Sequence, residues 1–224
     1  MKRKVAVSIY VFNFLEISKK IDELVIAGVD WIHVDIMDGN FVNNYALCQK
    51  ICRDIKDKYR NLIIDAHLMC LEPQRYIKSF AENGVDHFNF HFESITDKSE
   101  KNIINIINEI KKSGMKVVLA INPETNPIIL KPYFDLLDGV MCMSIKPGFN
   151  GQKLNKIVYE NLRYLSDYKL KNKLNYFIQV DGGVRENTYQ KLKLEGAEVL
   201  VVGAFINNKE INLKDQLEKI EREG

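Results

Sequence analysis

His33 and Asp35 stand two residues apart in the run WIHVDIMDG (31–39). On a strand, residues at i and i+2 point to one face. An imidazole and a carboxylate would therefore project side by side from a segment otherwise rich in Trp, Ile and Val. The pattern recurs in LIIDAHLM (62–69), where Asp65 and His67 share a face, and a further carboxylate, Asp181, closes the apolar run YFIQVDG (176–182). His33, Asp35, His67 and Asp181 make a set of two imidazoles and two carboxylates drawn from three separate runs. Nitrogen and oxygen donors without thiolate suit one divalent ion, Zn²⁺ foremost, with Fe²⁺, Mn²⁺ or Co²⁺ as alternatives. A lone strand histidine is more often hydrogen-bonded than metal-bound, but four converging donors reverse that expectation. Asp65 either joins the set or orients an imidazole from behind it.

The elements that must position these groups are legible as alternation. Strand candidates are KVAVSI (4–9), WIHVDI (31–36), LIIDAHLM (62–69), HFNFHF (87–92), KVVLAI (116–121), GVMCMSI (139–145), YFIQVDG (176–182) and EVLVVGA (198–204). Between them lie segments of helical spacing: Leu15, Ile21, Leu24 and Val25; Tyr76, Phe80 and Ala81; Ile103, Ile107 and Ile110. Gly28, Gly84, Gly114 and Gly196 stand where helix C-terminal caps belong. Eight strand-helix units without a Pro- or Ser-rich linker imply a parallel sheet closed into a (β/α)₈ TIM barrel, one domain over 1–224. An open doubly wound sheet would call for a glycine-rich turn after the first strand, and SIYVFNF (8–14) has no glycine.

Barrel enzymes carry their active sites at the C-terminal ends of the strands. By position alone that rim takes Ser8, His33, Asp35, Met37, Asp38, Asp65, His67, Met69, His91, Glu93, Asn122, Met143, Ser144 and Asp181. Three of the four histidines fall on this side; His87 opens the fourth strand at the other end and is read as structural. The turns DGG (181–183) and VGA (202–204) follow strands seven and eight, the recurrent anion site of such barrels. KPGFNG (146–151) could close over a ligand, with Gly148 and Gly151 permitting unusual dihedrals. From spacing alone, Met37, Met69 and Met143 are core packing.

The 224 residues carry a net charge of +2 from 32 basic and 30 acidic side chains, which argues against nucleic-acid or membrane-surface partners. A small anionic substrate needs only local donors. Cys48, Cys52, Cys70 and Cys142 form no CxxC pair and read as packing. No apolar run reaches membrane-spanning length, and a cytoplasmic location is expected.

HVDIMDGNFVNN, DAHLMCLEPQRYI, MSIKPGFNGQKL and IQVDGGVRENT resemble the signature segments of the ribulose-phosphate 3-epimerase family, in order and spacing, from Ser8 to about Gly203. The resemblance implies a (β/α)₈ barrel, a divalent metal, a homo-oligomer and interconversion of D-ribulose 5-phosphate with D-xylulose 5-phosphate through an enediolate. It places the metal ligands on His33, Asp35, His67 and Asp181, and the acid/base pair on Asp35 and Asp181. Substrate-contacting positions fall on Ser8, His67, Gly148, Phe149, Asn150, Gly151, Gly182, Gly183, Gly203 and Ala204. It also assigns Met37, Met69 and Met143 to the substrate wall.

Several residues depart from the family pattern. Asn43 replaces a turn proline, Asn150 a loop glycine, and Lys146 stands where Asn, Glu or Asp is usual. Tyr10 and Phe12 add bulk after strand one. Ala204 replaces a serine whose hydroxyl helps to hold phosphate, so altered phosphate binding is expected. INPET (121–125) resembles the branch acting on D-allulose 6-phosphate, an alternative substrate. A related decarboxylase or aldol-type synthase would need lysine in an Asp-x-Lys-x-x-Asp run, and Met37 stands there instead. A non-catalytic phosphosugar-binding relative would be expected to have lost a ligand, and all four are present.

Overall fold

A computed structural model describes residues 4–206 and 212–222; residues 1–3, 207–211 and 223–224 of the expected 1–224 domain lie outside it. Eight parallel strands run in sequence order around a closed barrel. They are β1 (Lys4–Ser8), β2 (Trp31–Met37), β3 (Ile63–Met69), β4 (His87–His91), β5 (Lys116–Ile121), β6 (Gly139–Met143), β7 (Phe177–Asp181) and β8 (Val199–Val202). The (β/α)₈ reading is right. Strands buried on both faces read as continuous apolar runs, which is why the expected segments matched. Met37, Met69 and Met143 are the last residues of β2, β3 and β6.

Seven α-helices cover the barrel among the described residues: α1 (Ile17–Ile26), α2 (Gln49–Lys58), α3 (Ile77–Glu82), α4 (Glu100–Lys112), α5 (Ile157–Asn172), α6 (Tyr189–Leu194) and α7 (Leu213–Arg222). The crossover from β5 to β6 corrects the expectation of eight regular units. Residues Pro127–Leu136 form a 3₁₀ stretch with Pro132 inside it; proline lacks the N–H that an α-helix needs there. Two apolar residues assigned to the first helix also differ. Leu15 precedes α1 and is 95% exposed, and Val25 faces outward, while Ile17, Ile21 and Leu24 are buried. The four capping glycines all have positive φ after their helices. Cys48, just before α2, is exposed and so is not the packing residue expected, whereas burial pushes the thiols of Cys52, Cys70 and Cys142 up to about 12, as packing residues require.

Acidic residues tie the N-terminal ends of the strands together in pairs. Asp86, before β4, accepts from the Ile64 N–H of β3 and from Lys56 Nζ, each at 2.7 Å. Asp138, before β6, accepts from the Val117 N–H of β5 at 2.9 Å, and Glu198, before β8, from the Ile178 N–H of β7 at 2.9 Å. The Glu198 carbonyl accepts from the Lys4 N–H at 3.0 Å and so joins β8 to β1. Inside this end, Trp31 packs edge-on to His87 and Phe177, with ring centres 4.7 and 5.5 Å away. His87 is thus structural, and burial lowers its pKa. A Cβ on Gly139 would lie 2.5 Å from the Phe177 ring, so glycine makes room for that plug.

Candidate metal centre and active site

β2, β3 and β7 deliver four donors to one point at the other end of the barrel. His33, Asp35, His67 and Asp181 each offer an atom within 4.8 Å of all the others. His67 Nδ1 lies 3.2 Å from Asp35 Oδ1, 3.5 Å from Asp181 Oδ2 and 3.3 Å from His33 Nε2. His33 Nε2 lies 3.5 Å from Asp35 Oδ1 and 3.7 Å from Asp181 Oδ2. A tetrahedral ion at about 2.0–2.1 Å from such donors would set them about 3.3 Å apart. The donor set fits a divalent cation in chemistry and in spacing.

The surroundings fix each ring. His33 Nδ1 donates to Asp65 Oδ2 at 2.7 Å, leaving Nε2 for the cluster. Gln179 donates to the same oxygen at 2.7 Å. Asp65 therefore orients an imidazole from behind, and the imidazole is His33 rather than its strand neighbour His67. His67 Nε2 faces His91 Nε2 at 2.9 Å. His91 Nδ1 in turn stands 3.4 Å from Glu93 Oε2, close but not aligned as a hydrogen bond. Ser8 Oγ donates to Asp35 Oδ2 at 2.7 Å.

Burial works to raise the Asp35 pKa, but the His33 charge and hydrogen bonds from His33 and His67 outweigh it, so the carboxyl stays ionised. Burial also works against charge on His33, yet Asp65 and Asp35 hold its pKa well above that of free imidazole. His67 is raised in the same way, against burial, by Asp181 and Asp35. The common cause is mutual: imidazoles and carboxylates hold one another in their charged forms.

Above the cluster opens a pocket walled by the sequence-predicted rim. Asp35, Asp181 and Ser8 line it near the strand ends, with Met37, Met69 and Met143. The loop residues Gly148, Phe149, Asn150 and Gly151 and the turn residues Gly182, Gly183, Gly203 and Ala204 complete the lining. The methionines are both core and wall: all three are buried and all three line the pocket. His33 and His67 are fully buried and do not line it. His67, expected against substrate as well as metal, has both ring nitrogens engaged below the pocket floor. Gly182 has φ +89° and a Cβ there would lie 2.4 Å from Ile145; a Cβ on Gly203 would meet Val11 at 2.8 Å. Side chains at either position would intrude on the turns that shape the pocket. Asn44 Nδ2 donates to the Gly148 carbonyl at 2.8 Å and to Tyr10 Oη at 2.9 Å, so bulky Tyr10 helps to hold the loop.

Sequence reasoning gave no role to Gln179, His91 or Arg185. Gln179 shares the inward parity of Asp181, and His91 that of His87, so parity was the available signal. Arg185 lines the pocket from the loop after β7.

Fold and site define a (β/α)₈ barrel with a cation-competent centre under a glycine-rich mouth. The chain belongs to the ribulose-phosphate 3-epimerase family, whose model matches residues 4–207. The ribulose-phosphate 3-epimerase of Bacillus subtilis is 35% identical over 206 residues, covering 91% of each chain. The chloroplastic ribulose-5-phosphate-3-epimerase of Arabidopsis thaliana is 32% identical over 202 residues, 90% of this chain and 70% of that one. Among solved structures, 3-hexulose-6-phosphate synthase from Salmonella typhimurium superposes with a TM-score of 0.69 at 18% identity, over 99% of this chain and 97% of that one, a likeness of fold alone. No helix among the described residues is long and apolar enough to cross a membrane.

Proposed function

We propose that this chain interconverts D-ribulose 5-phosphate and D-xylulose 5-phosphate, with Asp35 and Asp181 as the acid/base pair. The observation that carries the reading is the meeting of these two carboxylates, from non-neighbouring strands, in one pocket. Inverting a carbon beside a ketone requires removal of a proton from one face and return of a proton to the other. A carboxylate on each side of that carbon meets the requirement. His33, Asp35, His67 and Asp181 would hold one divalent cation, zinc foremost. When bound, the cation supplies Lewis-acid stabilisation of the negative charge that collects on the sugar oxygens. Ser8 holds Asp35 in its working orientation, and the methionine wall keeps water from the reacting carbon.

Membership in this family and its relatives' names support the pentulose phosphate as substrate. Asn122 and Glu124, from the INPET segment, line with Phe41 and Lys146 a cavity beyond Phe149 that adjoins the pocket over the aspartates and shares Pro147, Phe149 and Gln152 with it. The reading takes 1–224 as one barrel domain that self-associates, for which exposed Phe14, Leu15 and Ile26 offer apolar surface. Turnover of both sugars on metal-loaded protein tests the substrate: ribulose 5-phosphate should have the higher kcat/KM, and the reverse order would install the hexulose. Asp181→Asn should abolish epimerisation while preserving the circular dichroism spectrum and Tm; normal turnover in that variant overturns the mechanism.

A further inference from the structure

A phosphorylated ketose brings a dianion into the pocket, and the pocket's own charges are mostly of the wrong sign. Asp35 and Asp181 line it, and Ala204 offers no hydroxyl at the rim. Among the described residues lining the pocket, one side chain is a lysine or arginine, and it is Arg185. Arg185 stands two residues after Gly183, on the side of the mouth shared with Gly203 and Ala204. Its backbone is pinned: the Arg185 N–H donates to Thr188 Oγ1 at 2.8 Å, and that hydroxyl donates to the Gly183 carbonyl at 2.8 Å. Its head is not. The guanidinium Nη2 reaches the carbonyls of Gly151 and Gln152 at 3.4 and 3.5 Å, long contacts on an exposed side chain. Both come from the one nitrogen, so the rest of the guanidinium is placed to make shorter, charge-assisted bonds.

We propose that Arg185 is the phosphate-binding cation of this chain, its guanidinium taking over the anchoring that the missing hydroxyl at position 204 would give and linking the bound phosphate to the loop at Gly151–Gln152. The proposal rests on the phosphorylated-ketose reading above. A guanidinium presents paired N–H groups that match two phosphate oxygens at once, which a hydroxyl cannot do. While one edge of the guanidinium keeps its loop carbonyls, the other edge is available to the phosphate, so ligand and loop would be held by one group. Lys146, the unusual cation of the same loop, lines the cavity beyond Phe149 instead and is not in this pocket.

The test compares wild type, Arg185→Met, Arg185→Lys, Lys146→Met and the double variant Arg185→Met/Ala204→Ser. Loss of a charged hydrogen-bonding partner should raise the KM for ribulose 5-phosphate roughly 10- to 100-fold in Arg185→Met, with kcat changed by less than about threefold. Binding of inorganic phosphate, measured by calorimetry, should weaken in parallel, while kcat/KM for unphosphorylated D-ribulose stays as in wild type. Arg185→Lys should recover part of the loss, and so should the added serine in the double variant. Unchanged KM and phosphate binding in Arg185→Met, equal loss for D-ribulose, or transfer of the whole effect to Lys146→Met would each overturn the proposal. Should wild type fail to turn over any phosphorylated ketose, the functional reading falls; phosphate binding by wild type against Arg185→Met still decides the role of Arg185.

Discussion

His67 can offer Nδ1 to a cation only if its Nε2 carries the proton, and His91 decides that. With Nε2–H of His67 donating to His91 Nε2 at 2.9 Å, the His91 proton must sit on Nδ1, toward Glu93. Glu93 is itself held, its Oε1 accepting from the Asn122 N–H at 2.8 Å and from the Thr125 hydroxyl. Burial works to raise the Glu93 pKa, but His91 and these hydrogen bonds lower it, so it remains an acceptor. His91→Phe should weaken zinc binding roughly 10- to 100-fold in a chelator competition; unchanged affinity would refute this orienting role. The two liganding rings also set a pH dependence. Since His33 and His67 hold protons above the ordinary imidazole value of 6.5, a cation must displace those protons. Affinity is therefore full at high pH and falls as pH drops, beginning above 6.5 rather than below it. Calorimetry in two buffers of different ionisation enthalpy counts the released protons, and a count of zero would mean that both rings are already neutral in the free protein.

At the scale of elements, the acidic ties below the strands separate stability from activity. Asp86→Ala strands the Ile64 N–H and removes the carboxylate partner of Lys56, which keeps only the Leu62 carbonyl. It should cost about 1–3 kcal/mol of unfolding free energy, read from the denaturant midpoint, with kcat per folded molecule unchanged because the site is at the opposite end. A selective loss of kcat would show that the two ends are coupled. Strands and ligands were legible in the sequence because both report locally: β2 and β3 are apolar on one parity and functional on the other. The fifth crossover was not, since helical and 3₁₀ segments share apolar spacing and Pro132 decides between them. Leu15 and Val25 misled for a related reason, as a helix boundary slip leaves apolar residues on the solvent side. Gln179 and His91 were visible as inward residues, but their partners depend on register between strands, which no single strand encodes. Asp65 shows the same limit: its parity left open whether it joins the set or stands behind it, and only the pairing of β2 with β3 showed which ring it holds.

At the scale of the whole molecule, the barrel is plugged at one end by Trp31, His87 and Phe177 and roofed at the other by the loop at Gly148–Gly151. Asn44, through Gly148 and Tyr10, fastens that roof to the opposite rim. A well with a single door keeps what it is handed. On the proposed mechanism, hydrogen taken from the sugar by Asp35 or Asp181 meets bulk water through this mouth, so if the loop gates exchange, deuterium from heavy water should enter unreacted substrate no faster than the loop moves. Asn44→Ala should hasten that washout relative to turnover, as seen by mass spectrometry of recovered substrate. Equal washout in both proteins would mean the acid/base carboxylates exchange with water by a path other than the mouth, and the aromatic floor would not be the seal its packing implies.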